Sequence, residues 1–508
     1  MNAVKTLLLS TLMLSASAHA ASQGALKILF VGYEPSKVVV TDGDRLSKNP
    51  ERAAQLRRER TPAFENLLKQ NFKTVKVVYA DNYKQSMSAD YDVTIFDAAP
   101  HKIKNEVLEK DASGKPIGFH PAEYLTPDFS DAALLISTTA PSIGEPLQYK
   151  MDWLCECLGA QAHGVKFDHP IFNTPTKVKL TIQYQDTPAN YAEYYSGRDL
   201  PKSLPMWRVQ AEGYEDEKGM PPGLVSSGPG YTEGTDAEII SNGANQKSSK
   251  SVALSRHANF FHWGFSASPA QMTDEAKQVF INSVYYIAQF KGERPYSHRP
   301  YRSAFNNRHL ALDFASRLST QSYEDWVKQQ EAAQKTLADV YKNLETSGVK
   351  LTDEQRKQMA APAPKLPSKE EWLKTVALQQ QPASVTARFG NKLDQYLPFY
   401  EDNFPYLVQG KVPYTFEVDE DVRSLGVANS DPQLMQLCVA MLESNLDTDK
   451  AKRILARYSG EKFATTAEWR KWIDANRGRL YFSDEDGYRF HVRPVAADAK
   501  STAALKAS

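Results

Sequence analysis

The sequence predicts an α/β protein, with a mostly parallel sheet in the first half of the chain and a mainly α-helical C-terminal region after it. Two observations carry this. Between residues 25 and 294, short apolar runs alternate with helical patterns, as in a sheet covered by helices on both faces. Beyond Lys291-Gly292-Glu293-Arg294-Pro295 the strands give way to helical patterns separated by polar breaks.

The first strand is Lys27-Ile28-Leu29-Phe30-Val31-Gly32, ended by Tyr33-Glu34-Pro35. Residues 50–69 form a helical pattern with Leu56, Phe64, Leu67 and Leu68 on its apolar stripe, and residues 74–79 the second strand. The third strand, 93–97, runs into Ala98-Ala99-Pro100-His101, and the fourth, 134–138, into Thr139-Ala140-Pro141. Residues 145–158 form a helical pattern stopped by Gly159, as expected of a glycine at a helix C-terminus. Further strands are expected at 178–182 and 237–240; between them 201–234, rich in Gly, Pro and acidic residues, suggests a long functional loop or lid. An aromatic strand, 260–265, precedes a helix over 273–290 in which Ala276, Val279, Phe280, Val284 and Ile287 recur at helical spacing.

In the C-terminal region, 323–344 is a helix candidate with Trp326, Leu337, Val340 and Tyr341 on its apolar side, and 360–367 a proline-stiffened linker. A last unit holds the aromatic stretch 396–406, helical patterns at 432–442 and 448–458, a segment around Trp469 and Trp472, and a strand at 479–482. The expected partition is a signal peptide over 1–20, an α/β domain over 24–295, a helical connector over 296–383, a small helical domain over 384–495 and a disordered tail over 496–508.

Lys5, the apolar stretch from Leu7 to Leu14 and Ala18-His19-Ala20 have the pattern of a cleavable leader, which implies a periplasmic or extracellular protein. Ala21 stands where a lipoprotein needs Cys. No run approaches the ~20 apolar residues of a membrane helix, so membrane insertion is not expected. The 61 basic and 61 acidic residues balance, leaving no global field for nucleic acid. Three cysteines make no disulfide framework in a chain of 508 residues, and Cys155, Cys157 and Cys438 are expected to be mostly buried free thiols, a pairing with Cys438 remaining open.

Several of these pieces occur in the order of a known family. The 27–32 strand, the 134–138 strand with the segment ending Leu158-Gly159, Phe167-Asp168-His169-Pro170-Ile171, Glu212-Gly213-Tyr214 and the 260–265 strand together resemble the ThuA-like domain, named from trehalose utilisation and related to class I glutamine amidotransferases. The resemblance covers about half the chain and implies a flavodoxin-like, glutamine amidotransferase-like sheet. Where such domains often end the last strand in Gly-His, this chain has Gly264-Phe265, and Thr138-Thr139-Ala140 stand where some relatives keep a histidine.

Cys157-Leu158-Gly159-Ala160-Gln161 is similar to an amidotransferase nucleophile turn, but the residues before it form a helical pattern and Cys155 replaces its first Gly. Phe261-His262 resembles the closing strand that carries the amidotransferase histidine, without the acid that should follow. No spacing assigns a metal ligand set, and no cofactor is indicated. Because open parallel sheets bind ligands beyond the carboxyl ends of their strands, the site is expected to draw on His262, His101, Glu34 and Glu212 for catalysis. Tyr33, Thr138, Thr139, Trp207, Tyr214, Arg256 and His257 are the expected ligand contacts. Glu34 or Glu212 would act as base or acceptor and His262 as acid, base or metal ligand. Aromatic faces beside carboxylates and Arg suit a carbohydrate or related small polar ligand. The alternatives are a noncatalytic periplasmic interaction protein, docking a partner through the helical region, and a hydrolase using Cys157.

Overall fold

The structure is a computed structural model that describes residues 25–41, 49–213, 223–346 and 351–495. The expected leader over 1–20, the expected disordered tail over 496–508 and Tyr214 lie outside the described residues.

A ten-stranded sheet runs through the first half in the order β2 (Thr74–Tyr79), β1 (Lys27–Gly32), β3 (Val93–Phe96), β6 (Ala133–Ile136), β12 (Phe260–Trp263), β11 (Val252–His257), β10 (Ala237–Asn245), β7 (Leu158–His163), β9 (Ser203–Arg208) and β8 (Ile182–Asp186), while β4 (Val107–Lys110) pairs with β5 (Pro116–His120) and β13 (Leu407–Gln409) with β14 (Phe416–Val418) in separate two-stranded ribbons. β1, β2, β3, β6 and β12 are parallel neighbours. On the far side of β12, the strands β11, β10, β7, β9 and β8 continue it antiparallel. The sheet is therefore mixed, not mostly parallel. Ala258 and Asn259 alone separate β11 from β12, and Ala258 takes a positive φ of 47°. A link that short can join only antiparallel neighbours.

On one face pack α1 (Pro50–Asn71) and a second long helix, Asp274–Ala288, with Phe30, Phe64, Trp263 and Phe280 between them and the sheet. Both begin at a cap: the Asn49 side chain accepts from Arg52 N, and the Thr273 hydroxyl from Ala276 N. The other face is covered by α2 (Thr139–Gly144) and by irregular segments carrying Tyr83, Phe129, Tyr149 and Met151. The helix expected over 145–158 does not form. Gln148 takes a positive φ of 62°, the chain continues extended past Cys155, and 158–163 is strand β7, with Gly159 inside it. Gly159, Ala160, Gln161 and Ala162, neither β-branched nor aromatic, carry no strong strand signal of their own.

The remainder of the chain is largely helical, with Gln433–Glu443, Thr448–Ser459 and Thr466–Asn476 around one apolar cluster and Tyr396 and Tyr400 in another. It is keyed to the first half by buried ions. The turn between β15 (Leu480–Ser483) and β16 (Arg489–Val492) inserts Asp484 and Glu485. Arg299, 1% exposed, donates to Glu485 at 2.7 Å and pairs with Asp152. Arg308 grips Asp484 through Nε and Nη2 at 2.6–3.0 Å. Lys150 Nζ reaches Glu233 at 3.1 Å, and Glu233 accepts from Ser483 Oγ and Asp484 N.

Candidate functional site

The residues expected to form one site separate into groups. At the carboxyl ends of β1 and β2, Tyr33 and Glu34 line a hollow of about 250 Å³ with Lys37, Arg57 and Asp81. Lys37 Nζ lies 2.8 Å from Glu34 and 3.1 Å from Asp81, and His101 Nε2 lies 3.6 Å from Asp81. The hydrogen bonds from Lys37 and Ser36 hold the Glu34 carboxyl below its ordinary range, which weakens it as a base. The ends of β3 and β12 are closed: Arg60 Nε donates to both Asp97 oxygens at 2.7 Å and its Nη1 to Ser266 O. Thr139 is buried with its hydroxyl 2.9 Å from the Phe96 and Ile136 carbonyls, and the Thr138 carbonyl accepts from Ser142.

His262 does not reach a strand end. It lies within β12 between Leu135 of β6 and Ser255 of β11, fully buried, with neither ring nitrogen hydrogen-bonded among the described residues. Burial alone pushes it down to about 3, so the ring is neutral. Trp207 is core in β9, its indole N–H donating to Glu275 at 3.1 Å, so the expected loop over 201–234 contains a buried strand. Glu212 is exposed in a turn ahead of residues 214–222.

Arg256 and His257 lie at the opposite edge, where β11 ends and the parallel strands begin. There the molecule opens into a cleft of about 1760 Å³ between the Val165–Asn173 segment, the start of β10, the end of the Asp274–Ala288 helix and Pro295–His298. At its floor Glu238 accepts from Arg256 Nε at 2.6 Å and from the Tyr286 hydroxyl, with His169 Nε2 at 3.5 Å. Burial would raise this carboxyl, but His169 and Arg256 outweigh it and hold it well below the usual range. Arg256 also lies over the Phe290 ring, 4.1 Å from its centroid.

Beside this floor Asp236, His257 and Ser297 form a buried triplet. Ser297 Oγ donates to Asp236 at 2.6 Å, and His257 Nε2 lies 3.4 Å from both Asp236 and Ser297. It is not a catalytic triad. His257 Nδ1 accepts from Lys150 N at 2.9 Å, so the ring proton sits on Nε2 and that nitrogen cannot take one from serine. Burial pushes His257 down to about 4, keeping it neutral.

The cleft walls also carry exposed aromatic and cationic groups. Phe167 is 50% exposed on the rim. His298 Nδ1 is buried without a hydrogen bond among the described residues, whereas His169 Nε2 faces Glu238. Arg294 and Lys166 stand exposed at the opening. Of the expected ligand contacts Arg256 lines the cleft and His257 lies buried beside it; Phe167-Asp168-His169-Pro170, part of the ThuA-like resemblance, also lines the cleft, and His169 caps the short helix Pro170–Asn173. Among the described residues, no group of three or more His, Cys, Asp or Glu side chains is placed to hold a metal ion, and no helix is long and apolar enough to cross a membrane.

Cys155 and Cys157 form a disulfide, against the expectation of free thiols, while Cys438 is free and buried. With the chain extended rather than helical here, the two side chains can meet, their Cα atoms 5.1 Å apart. No protein-family model matches the chain, and comparison with curated proteins finds no match.

Proposed function

We propose that this is a periplasmic or extracellular protein with a ThuA-like α/β half that binds a carbohydrate or related polyhydroxylated ligand in the cleft between β10, His169 and Pro295–His298. The observation that carries this is the cleft itself. At about 1760 Å³ it exceeds the ~300–1,000 Å³ of a typical small-molecule site and has room for several sugar units. Its exposed ring, Phe167, suits the apolar face of a sugar, and His298 Nδ1 and the exposed Arg294 and Lys166 offer polar partners for hydroxyls. Binding rather than turnover is the reading favoured by Asp236, His257 and Ser297, whose hydrogen bonds are already committed. Cys157, bonded to Cys155, offers no thiolate for an amidotransferase-like reaction.

The test is calorimetric titration of mono- to oligosaccharides into the mature chain, the Phe167→Ala variant and the Arg294→Ala variant. The expected result is saturable binding to the parent, weakened about tenfold by either change, a loss of ~1.4 kcal/mol. Absence of binding across neutral, acidic and amino sugars would overturn the reading and turn attention to a protein partner.

A further inference from the structure

The Cys155–Cys157 disulfide is a reactive group that the cleft does not use. Cys155 and Cys157 are two positions apart. A bond closing so short a loop removes little freedom from the unfolded chain, and this half already has a large apolar core, so the bond contributes little as a staple. The main chain around it is held independently. Cys155 N and Leu154 N both donate to Val225 O at 3.3 Å, and Val225 N donates to Cys155 O at 2.9 Å. Leu158 N is fixed on Gly223 O at 3.2 Å. Opening the sulfur–sulfur bond therefore leaves the backbone in place and the two thiols side by side.

The two sulfurs are not equivalent. Cys157 is buried in the core at 5% exposure, whereas Cys155 is only half-buried and is followed by the exposed Glu156. Two residues before it, Trp153 stands 50% exposed, an apolar surface beside the accessible sulfur.

We propose that Cys155–Cys157 is a thiol–disulfide exchange site with Cys155 as the sulfur that an incoming thiol attacks. The partner's thiolate forms a bond to Cys155 Sγ and breaks the Cys155–Cys157 bond; the electron pair leaves on Cys157, which takes up a proton. A second partner thiol then displaces Cys155, giving the partner's disulfide and the reduced pair, with two electrons and two protons transferred. Run in reverse, the reduced pair reduces a partner disulfide. The co-reactant is a thiol: either a small one such as glutathione, or a protein dithiol that also contacts Trp153.

The test uses the full chain carrying Cys438→Ser, equilibrated over graded ratios of reduced to oxidised glutathione, with free thiols trapped by a maleimide mass tag and folding followed by near-ultraviolet circular dichroism. The expected result is that both thiols appear together, at one midpoint, in protein that remains folded. In separate chains, Cys157→Ser should collect a glutathione adduct at Cys155 about tenfold faster than Cys155→Ser collects one at Cys157, because access governs the attack. A dithiol peptide that outpaces glutathione, and loses that advantage in Trp153→Ala, assigns the co-reactant as protein; equal rates assign it as a small thiol. A pair that stays bonded until denaturant is added, or equal trapping at the two positions, would overturn the proposal.

Discussion

Replacing His262 with Leu should make the protein less sensitive to acid. The ring is fully buried within β12, neither nitrogen has a partner among the described residues, and burial alone pushes it down to about 3 from an ordinary 6.5. Because the folded form refuses a proton that the unfolded form accepts, stability is complete above the unfolded value and declines as pH falls from 6.5 towards 3. At pH 5 the solution lies about 1.5 units below the unfolded ring's ordinary value of 6.5, and at ~1.36 kcal/mol per unit the parent has lost about 2 kcal/mol through this residue. At pH 7 the loss is about 0.2 kcal/mol. Leu is close in volume and has no nitrogen to leave unpaired, so at pH 7 the variant should match or exceed the parent by about 1 kcal/mol. The assay is equilibrium urea unfolding at both pH values, followed by tryptophan fluorescence, comparing the pH-dependent change in the two proteins. An equal loss in parent and variant, or a variant several kcal/mol weaker at pH 7, would refute the reasoning.

Three further outcomes are expected. Asp484→Ala leaves Arg308 charged and buried without its carboxylate, so thermal unfolding should show a loss of about 3–5 kcal/mol, partly recovered in the Arg308→Met double variant. Asp313 is raised to about 6 by burial, against the hydrogen bond from Tyr195 N, so its contribution is present below the unfolded value of 3.8 and lost as pH rises through 6. Asp313→Asn should therefore stabilise the chain by about 1–3 kcal/mol at pH 8 in denaturant titrations, with the gain gone below pH 4. Cys438, buried and pushed up to about 12, should react with iodoacetamide more than about tenfold slower in the folded chain than in urea.

The parallel half of the sheet was legible in the sequence because its strands β1, β3, β6 and β12 are buried apolar runs, and because Asp274–Ala288 combines helical spacing with a Thr273 cap. The antiparallel half was harder. β11 is buried at every position and lacks the alternation that marks a half-wetted strand, and Pro205 inside β9 disguised Ser203–Arg208 as loop. Strand direction also decided the site. The rule that ligands gather at carboxyl ends puts Arg256 and His257 beside the ends of the parallel strands, yet β11 runs against its neighbour β12, so its own end faces the opposite edge. The cleft is assembled from residues as distant as Lys166, Glu238 and His298, and no local pattern announces that they meet.

The Arg299–Glu485 pair also sets an order of events during synthesis. Its members are separated by 186 residues. While the ribosome is still adding the helical half, Arg299 has Asp152 available but not Glu485, and Arg308 has no Asp484. The native seating of both guanidinium groups thus waits until nearly all of the described chain has been made. A truncated product ending before the β15–β16 turn would leave Arg299 without Glu485 and Glu233, partner of Lys150, without Ser483 and Asp484. Such a product should be cleared by proteolysis rather than persist as a working half.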